Sequence, residues 1–110
     1  KGYEIVTEMK RYGSEYGEIS LPDRLTIQDL YPNPFNPSLT ISFSVPTETE
    51  VTVAVYNMLG ERVATLLNNS YLASGFHSLK WTATDQPSGM YFIKIQTPAV
   101  IDTKKALFIK

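Results

Sequence analysis

The sequence predicts an all-β fold, because apolar and polar residues alternate in short stretches that turn residues separate. Residues 41–45 carry Ile, Phe and Val at every second position, and residues 51–55 carry valine in the same way. A period of two places such side chains on one face of a strand. The same period runs through residues 78–81 and 91–96, and no segment of helical length keeps a period of 3.6.

The number and spacing of these stretches indicate how the strands are arranged. Six strands are expected between Thr40 and Ile109, with a seventh before Pro32. Strands at this spacing favour an immunoglobulin-like antiparallel β-sandwich of about seven strands. Residues 61–68 leave two interpretations open, a strand or a helical turn. The predicted core consists of Trp81, Phe43, Val53, Ile93 and Leu107.

Turn residues punctuate the expected strands. Residues 57–60 read as a hairpin connection in which Gly60 takes the positive φ that closes it. Pro46 and Pro98 cannot donate to a sheet ladder and should mark strand ends. Further turns are predicted at residues 68–70, 74–75 and 87–89.

Size and composition indicate one globular domain with its own core. The chain has 110 residues, a hydrophobic fraction of 43% and a net charge of -1. Its lysines and arginines do not cluster, which argues against nucleic acid or an anionic membrane as partner. The lack of cysteine excludes disulfides and thiolate metal sites. The chain begins at Lys1 without a methionine or signal pattern, so a fragment of a longer protein is expected.

Residues 1–24 differ from the rest. Residues 3–9 and 15–20 read as two strands, which would either form a hairpin extending the sandwich or belong to an upstream domain. A join is expected near residues 22–24. The predicted division is an N-terminal segment of residues 1–27 and a domain of residues 28–110.

No catalytic, cofactor or metal site is predicted, so an enzyme is not expected. His77, the single histidine, shares the parity of Trp81 and reads as a strand residue with a satisfied hydrogen bond. The aspartates are scattered without the spacing of a calcium loop, and no glycine-rich phosphate loop occurs. Four aromatic residues would line a sugar-binding face if they formed a patch: Tyr56, Tyr71, Phe76 and Phe92.

The most specific stretch is a proline-rich leader before the first core strand. Pro32, Pro34 and a third proline restrict the preceding residues to extended conformations. The side chain of Asn33 can cap a turn. Phe35 is then expected to anchor the leader to a sheet.

Six segments in order resemble the type A C-terminal sorting domain of the type IX secretion (Por secretion) system. The first three are a Tyr-Pro-Asn-Pro leader at residues 31–34, an alternating strand at residues 40–46 and a Val-x-Val-x-Val-Tyr-Asn-x-x-Gly hairpin at residues 51–60. The other three are a Gly-x-His-x-x-x-Trp strand at residues 75–81, a Ser-Gly-x-Tyr-Phe-x-Lys strand at residues 88–94 and a terminal Lys-Lys run at residues 104–110. Each segment alone is weak, but their order and spacing agree over about residues 28–110. A terminal run that ends at Lys110 also fits a domain at the extreme C-terminus.

The resemblance implies a non-catalytic secretion address. The attached upstream cargo would pass through the periplasm and the type IX translocon, and a sortase-like surface peptidase would remove the domain, leaving the cargo secreted or at the cell surface. Lys104, Lys105 and Lys110 are the predicted polar contacts to the translocon, and the first two are expected to begin and protect the last strand. An exposed edge would also allow a homodimer. The predicted fold and motif positions are Pro32, Asn33, Pro34, Gly60, Trp81, Gly89 and Tyr91.

Two other classes of function remain open at this point. A flagellar hook-capping immunoglobulin-like module shares the hairpin glycine, but there an Asp-Gly pair usually follows the tryptophan, where this chain has Thr82 and Ala83. A carbohydrate-binding accessory domain of a secreted hydrolase would use the exposed aromatic residues.

Overall fold

The computed structural model of the protein describes the backbone of residues 3–8 and the whole of residues 25–110. It contains eight strands: β1 (Tyr3–Glu8), β2 (Thr26–Tyr31), β3 (Ser38–Val45), β4 (Thr49–Tyr56), β5 (Arg62–Leu72), β6 (Gly75–Thr82), β7 (Gly89–Gln96) and β8 (Ile101–Phe108). This confirms the all-β prediction, including the strand that precedes Pro32. Within these residues, no helix is long and apolar enough to span a membrane.

The strands form two antiparallel four-stranded sheets. The first sheet has the order β1-β6-β3-β2 and the second the order β5-β4-β7-β8. Among the seven strands from β2 onward, one sheet contains β2, β3 and β6, which are the first, second and fifth of the seven. The other sheet contains β4, β7 and β8, which are the third, sixth and seventh. Immunoglobulin-like sandwiches divide their strands in this way. The fourth strand, β5, lies beside β4 in the second sheet.

Side chains from both sheets form one core. The predicted core residues Trp81, Phe43, Val53 and Ile93 are all buried. The prediction for Leu107 is wrong, because Leu107 is half-buried whereas Ala106 and Phe108 are buried. The register of β8 against β7 sets Ala106 opposite the buried Tyr91, so the even-numbered positions face inward there.

Strand β5 decides two points that the sequence raised. Of the two interpretations open for residues 61–68, the strand is confirmed, and the turn predicted at residues 68–70 is wrong, because β5 runs through both segments. Asn69 instead forms a bulge, where its φ is 50° and the β4–β5 register shifts between Val51 and Val53. The Thr52 hydroxyl donates to Asn69 Oδ1 at 3.1 Å and accepts the Asn69 backbone N–H at 3.0 Å. A residue that tolerates positive φ thus serves a bulge as well as a turn.

The connections otherwise agree with the sequence. Gly60 closes the β4–β5 hairpin with a φ of 82°, and the Asn57 side chain accepts the backbone N–H groups of Leu59 and Glu61. Pro46 and Pro98 each follow the end of a strand. The prediction that two lysines begin the last strand is wrong: β8 begins at Ile101, so those lysines lie at its centre.

The N-terminal segment contributes one described strand. β1 pairs with β6 from Tyr3 opposite Trp81 to Glu8 opposite Phe76. The second strand predicted at residues 15–20 and the join near residues 22–24 lie outside the described residues. Division of the chain at residue 28 therefore stays a prediction.

Candidate recognition surface at the C-terminal strand

The proline-rich leader lies along the outer edge of β8. The backbone N–H of Phe35 donates to the Leu107 carbonyl at 2.9 Å, and the N–H of Ile109 donates to the Phe35 carbonyl at 3.1 Å. Asn33 Oδ1 accepts the N–H of Leu107 at 3.0 Å. The leader therefore acts as a short additional strand that occupies the C-terminal part of this edge.

Phe35 fixes the leader to the core. Its side chain is 1% exposed, with its ring centre 5.0 Å from that of Phe108 and 5.7 Å from that of Trp81. Stacked and tilted aromatic pairs at these distances are favourable beyond the area that they bury. The prediction that Phe35 anchors the leader is therefore confirmed.

A second tether holds the opposite end of β8. Asp102 Oδ2 accepts the backbone N–H of Ile27 at 2.8 Å and the Thr26 hydroxyl at 3.3 Å. Hydrogen bonds to a charged acceptor are stronger than bonds between neutral groups. The start of β2 is thereby fixed to the start of β8, although the two strands belong to different sheets.

Between the two tethers, β8 has an open edge. Alternate residues of an antiparallel strand direct their backbone polar groups toward the same neighbour. The backbone groups of Leu107 and Ile109 bond to the leader, so the backbone N–H and C=O groups of the odd-numbered residues of β8 point away from β7. Within the described part of the chain, no hydrogen bond reaches the outward backbone groups of Thr103 and Lys105. Residues 103–105 are called the open segment below.

The three lysines predicted as contacts lie on or beyond this edge. Lys104 and Lys105 are exposed within the open segment. Lys110 is exposed beyond the end of β8, where its backbone N–H donates to Ser88 Oγ at 2.8 Å. At the usual rise of an extended chain, about 17 Å separates the Cα atoms of Lys105 and Lys110.

The predicted motif positions have different surroundings. Pro32, Asn33 and Pro34 are exposed in the leader, whereas Trp81 is buried between Phe35 and Tyr91. Gly60 lies in the β4–β5 hairpin, Gly89 is the first residue of β7, and Tyr91 is buried two residues further along the same strand.

Tyr91 has a structural role that the sequence reading missed. Its hydroxyl donates to the carbonyl of Pro87, four residues earlier, at 2.6 Å. This contact is the tyrosine corner of immunoglobulin-like domains, which fixes the entry into a core strand. Burial raises the pKa of Tyr91. The signal available in the sequence was a tyrosine at the start of the penultimate strand, shortly after a proline turn.

Among the described residues, those considered for catalysis or metal binding do not assemble into a site. His77 is 4% exposed, its Nε2 lies 2.8 Å from the Ala73 carbonyl, and its ring stacks on Phe43 at 5.6 Å. This confirms the interpretation of a strand residue with a satisfied hydrogen bond. No group of three His, Asp or Glu residues in the described ranges could hold a metal ion.

The four aromatic residues considered for sugar binding are not brought together. Phe76 lies on β6 in the first sheet, and Tyr71 lies near the far end of β5 in the second. Tyr56 and Phe92 are cross-strand neighbours on β4 and β7. The structure therefore provides one aromatic pair, not a platform of four rings.

Comparison with known proteins agrees with the arrangement of the chain. A family model described as "Secretion system C-terminal sorting domain" matches residues 29–110. The match runs from within β2 to the last residue of the chain, so it includes the leader and β8. No curated protein matches the sequence.

Proposed function

Because this chain belongs to the family of type IX secretion C-terminal sorting domains, we propose that the secretion machinery recognises it at the open segment of β8. The domain is a sorting signal for export through the type IX system, and family membership implies a secreted or cell-surface protein. The observation that carries the proposed recognition site is a strand edge tethered at both ends, where the outward backbone groups of Thr103 and Lys105 have no hydrogen-bond partner among the described residues.

The mode of recognition would be addition of a strand. An extended segment of the machinery pairs with residues 103–105 through main-chain hydrogen bonds, and side-chain contacts to Lys104, Lys105 and Lys110 supply specificity. The tethers at Asp102 and Phe35 hold the edge in its extended form before the partner arrives. Little conformational entropy is then lost on binding, which favours affinity.

The remaining steps of the route extend this proposal. The attached cargo reaches the periplasm and crosses the outer membrane, where a sortase-like surface peptidase removes the non-catalytic domain.

A homodimer through the same edge would bring Lys104 and Lys105 of two copies together. Like charges directly opposite on paired strands are destabilising, so we expect light scattering to show a monomer across a concentration series.

An export assay tests the recognition site. The full chain is fused to the C-terminus of a signal-peptide-bearing fluorescent reporter, in wild-type and translocon-deficient cells of a bacterium with a working type IX system. We expect the reporter outside the wild-type cells only. Replacing Lys104, Lys105 and Lys110 with alanine should hold most of it in the periplasm. Lys80→Ala is the control, because Lys80 is exposed on the other sheet.

Substitution is preferable to deletion of residues 104–110, because deletion would also remove the buried Phe108 from the core. Circular dichroism of each purified variant checks that the fold is kept. Normal export of the triple lysine variant would contradict recognition at this edge. Retention of the unsubstituted fusion in both strains would contradict sorting activity itself.

A further inference from the structure

The outer face of the second sheet carries a row of four side chains that crosses all its strands. The registers set Lys105 opposite Phe92, Phe92 opposite Tyr56, and Tyr56 opposite Arg62. The row therefore reads cation, aromatic, aromatic, cation, and is called the cation–aromatic row below. At the usual spacing between strands, roughly 14 Å separates the backbones of the two terminal residues. Lys94 lies on the same face, two residues from Phe92.

Tyr56 holds two of these cations in place. Arg62 Nη2 donates to the Tyr56 hydroxyl at 3.1 Å, and Arg62 Nη1 donates to Thr65 Oγ1 at 3.2 Å. The guanidinium carbon lies 5.6 Å from the centre of the Tyr56 ring, and Lys94 Nζ lies 5.1 Å from it. Cations at these distances are attracted to the face of an aromatic ring. Both positive groups are therefore ordered on the sheet.

Neither cation is neutralised by these contacts. The partners of Arg62 and Lys94 are hydroxyls and an aromatic ring, and within the described residues neither cation forms an ion pair with a carboxylate. The effect is visible on the phenol between them. Burial tends to raise the pKa of Tyr56, but the Arg62 hydrogen bond and the charges of Lys94 and Arg62 outweigh it and lower the pKa.

We propose that this face binds an acidic segment of a partner protein. One carboxylate of the segment would contact Arg62 and Lys94, a second would contact Lys105, and an apolar side chain between the two carboxylates would lie over Phe92. The inference rests on the proposed function, since it names the chemistry of a second contact that the machinery makes beside the strand-addition site. The chain as a whole carries a net charge of -1, so this ordered group of cations is a local feature that charge complementarity can use. In an extended segment, carboxylates roughly 14 Å apart are about four residues apart.

A protein segment fits this face better than an acidic polysaccharide does. Sugar rings stack on open aromatic faces, but two cations approach the ring of Tyr56. Phe92 is half-buried, and it lines an open depression together with residues 103–105 instead of presenting a flat ring. The cations thus supply the polar contacts, Tyr56 holds two of them in position, and the depression beside Phe92 can take one apolar side chain.

Peptide binding to the full chain tests this inference. The probe is a synthetic peptide of alternating Glu and Thr, about ten residues long so that it spans the row, and a Lys–Thr peptide of equal length is the control. In an NMR titration, we expect amide shift changes to concentrate at Tyr56, Phe92 and Thr103 with the acidic peptide only. Raising NaCl from about 0.05 M to about 0.3 M should weaken binding, because the charges are exposed and therefore screened.

A charge-removing variant locates the contact. Arg62→Gln with Lys94→Gln should weaken peptide binding about tenfold, the effect of losing two exposed ion pairs. Lys80→Gln, on the other sheet, should leave binding unchanged. Equal binding of the Lys–Thr peptide, or equal weakening by Lys80→Gln, would overturn the inference. Binding of polygalacturonate to these residues in place of the acidic peptide would overturn the assignment to a protein partner.

Export separates this inference from the proposed function. The Arg62→Gln and Lys94→Gln variant leaves Lys104, Lys105 and Lys110 untouched, so it tests the sheet face alone. We expect export of the fused reporter to fall to less than half that of the unsubstituted fusion. If this variant is exported normally while the triple lysine variant is retained, the face inference fails and edge recognition stands. If neither variant impairs export, both fail.

Discussion

The two outermost strands of the second sheet, β8 and β5, are edges of different character. β8 pairs with β7 over eight consecutive residues without a register shift. β5 pairs with β4 through shifts at three places, one of them at Asn69. Bulges twist an edge and interrupt its row of backbone groups, which makes β5 a poor template for another strand.

The regularity of β8 would make it the more reactive edge, but the leader covers its C-terminal end. Phe35 and Asn33 of the leader occupy the C-terminal part, and Asp102 ties down the N-terminal part. Among the described residues, the edge left without hydrogen bonds includes the open segment, and Lys104 and Lys105 discourage indiscriminate pairing there. One edge is thus closed by backbone irregularity, whereas the other is kept flat and restricted to a short, charged stretch that suits selective recognition.

The largest expected effect comes from removing the leader's anchor. Phe35→Ala should lower the free energy of unfolding by about 3–5 kcal/mol, because it leaves a cavity beside Phe108 and Trp81. Leu59, 83% exposed in the β4–β5 hairpin, is the matched control. Leu59→Ala should change stability by less than about 0.5 kcal/mol. Urea denaturation measures both, and equal losses would contradict the anchoring role.

The tether at the start of β8 should contribute less. Asp102→Ala removes the acceptor of the Ile27 N–H and should lower stability by about 1.5–3 kcal/mol, as expected for a hydrogen bond to a charged group. Hydrogen exchange at the Ile27 amide should accelerate in parallel. Asp102→Asn keeps an acceptor oxygen, so it should retain part of the protection. An asparagine variant as unstable as the alanine variant would argue against a hydrogen-bonded tether.

The hairpin before the irregular edge gives a smaller, backbone effect. Gly60 has a φ of 82°, and a Cβ added there would meet nothing within 4 Å. Gly60→Ala should therefore lower stability by about 1–2 kcal/mol through left-handed strain alone. Gly60→Asn should lose less, because asparagine tolerates this conformation. Denaturation midpoints of the two variants measure the difference, and the reverse order would exclude backbone strain as the cause.

The contrast between the edges also shows what the sequence could predict. Strict alternation in residues 51–55 and 91–96 was enough to place β4, β7 and their buried faces. The last strand offered a continuous apolar run around Leu107, so periodicity could not choose which residues face inward. Asn69 could not be assigned to a bulge rather than a turn, since both conformations accept asparagine with positive φ.

The surfaces proposed for recognition depend on distant pairing. The cation–aromatic row joins Arg62 to Lys105 across strands far apart in the chain, and its alignment follows from registers that local patterns do not encode. The lysine pair was visible in the sequence, but its place at the centre of β8 depends on where the strand begins. The leader's anchor was predictable, because a single aromatic residue among prolines has few ways to be buried.

The smallest expected effect distinguishes a tyrosine inside the sandwich from one on its outer face. Burial raises the pKa of Tyr91, so above the ordinary tyrosine pKa of 10.0 the unfolded chain releases this proton first and stability falls as pH rises. Tyr56 has a lowered pKa, so its contribution to stability changes in the opposite direction with pH. Urea denaturation at about pH 9 and about pH 11 measures both effects, since this interval brackets tyrosine ionisation. Tyr91→Phe should lessen the fall at high pH, whereas Tyr56→Phe should steepen it, because the cations beside Tyr56 favour its ionised form only in the folded sheet. Identical pH profiles of the two variants would mean that the two tyrosines share one environment, contrary to the positions that their strands give them.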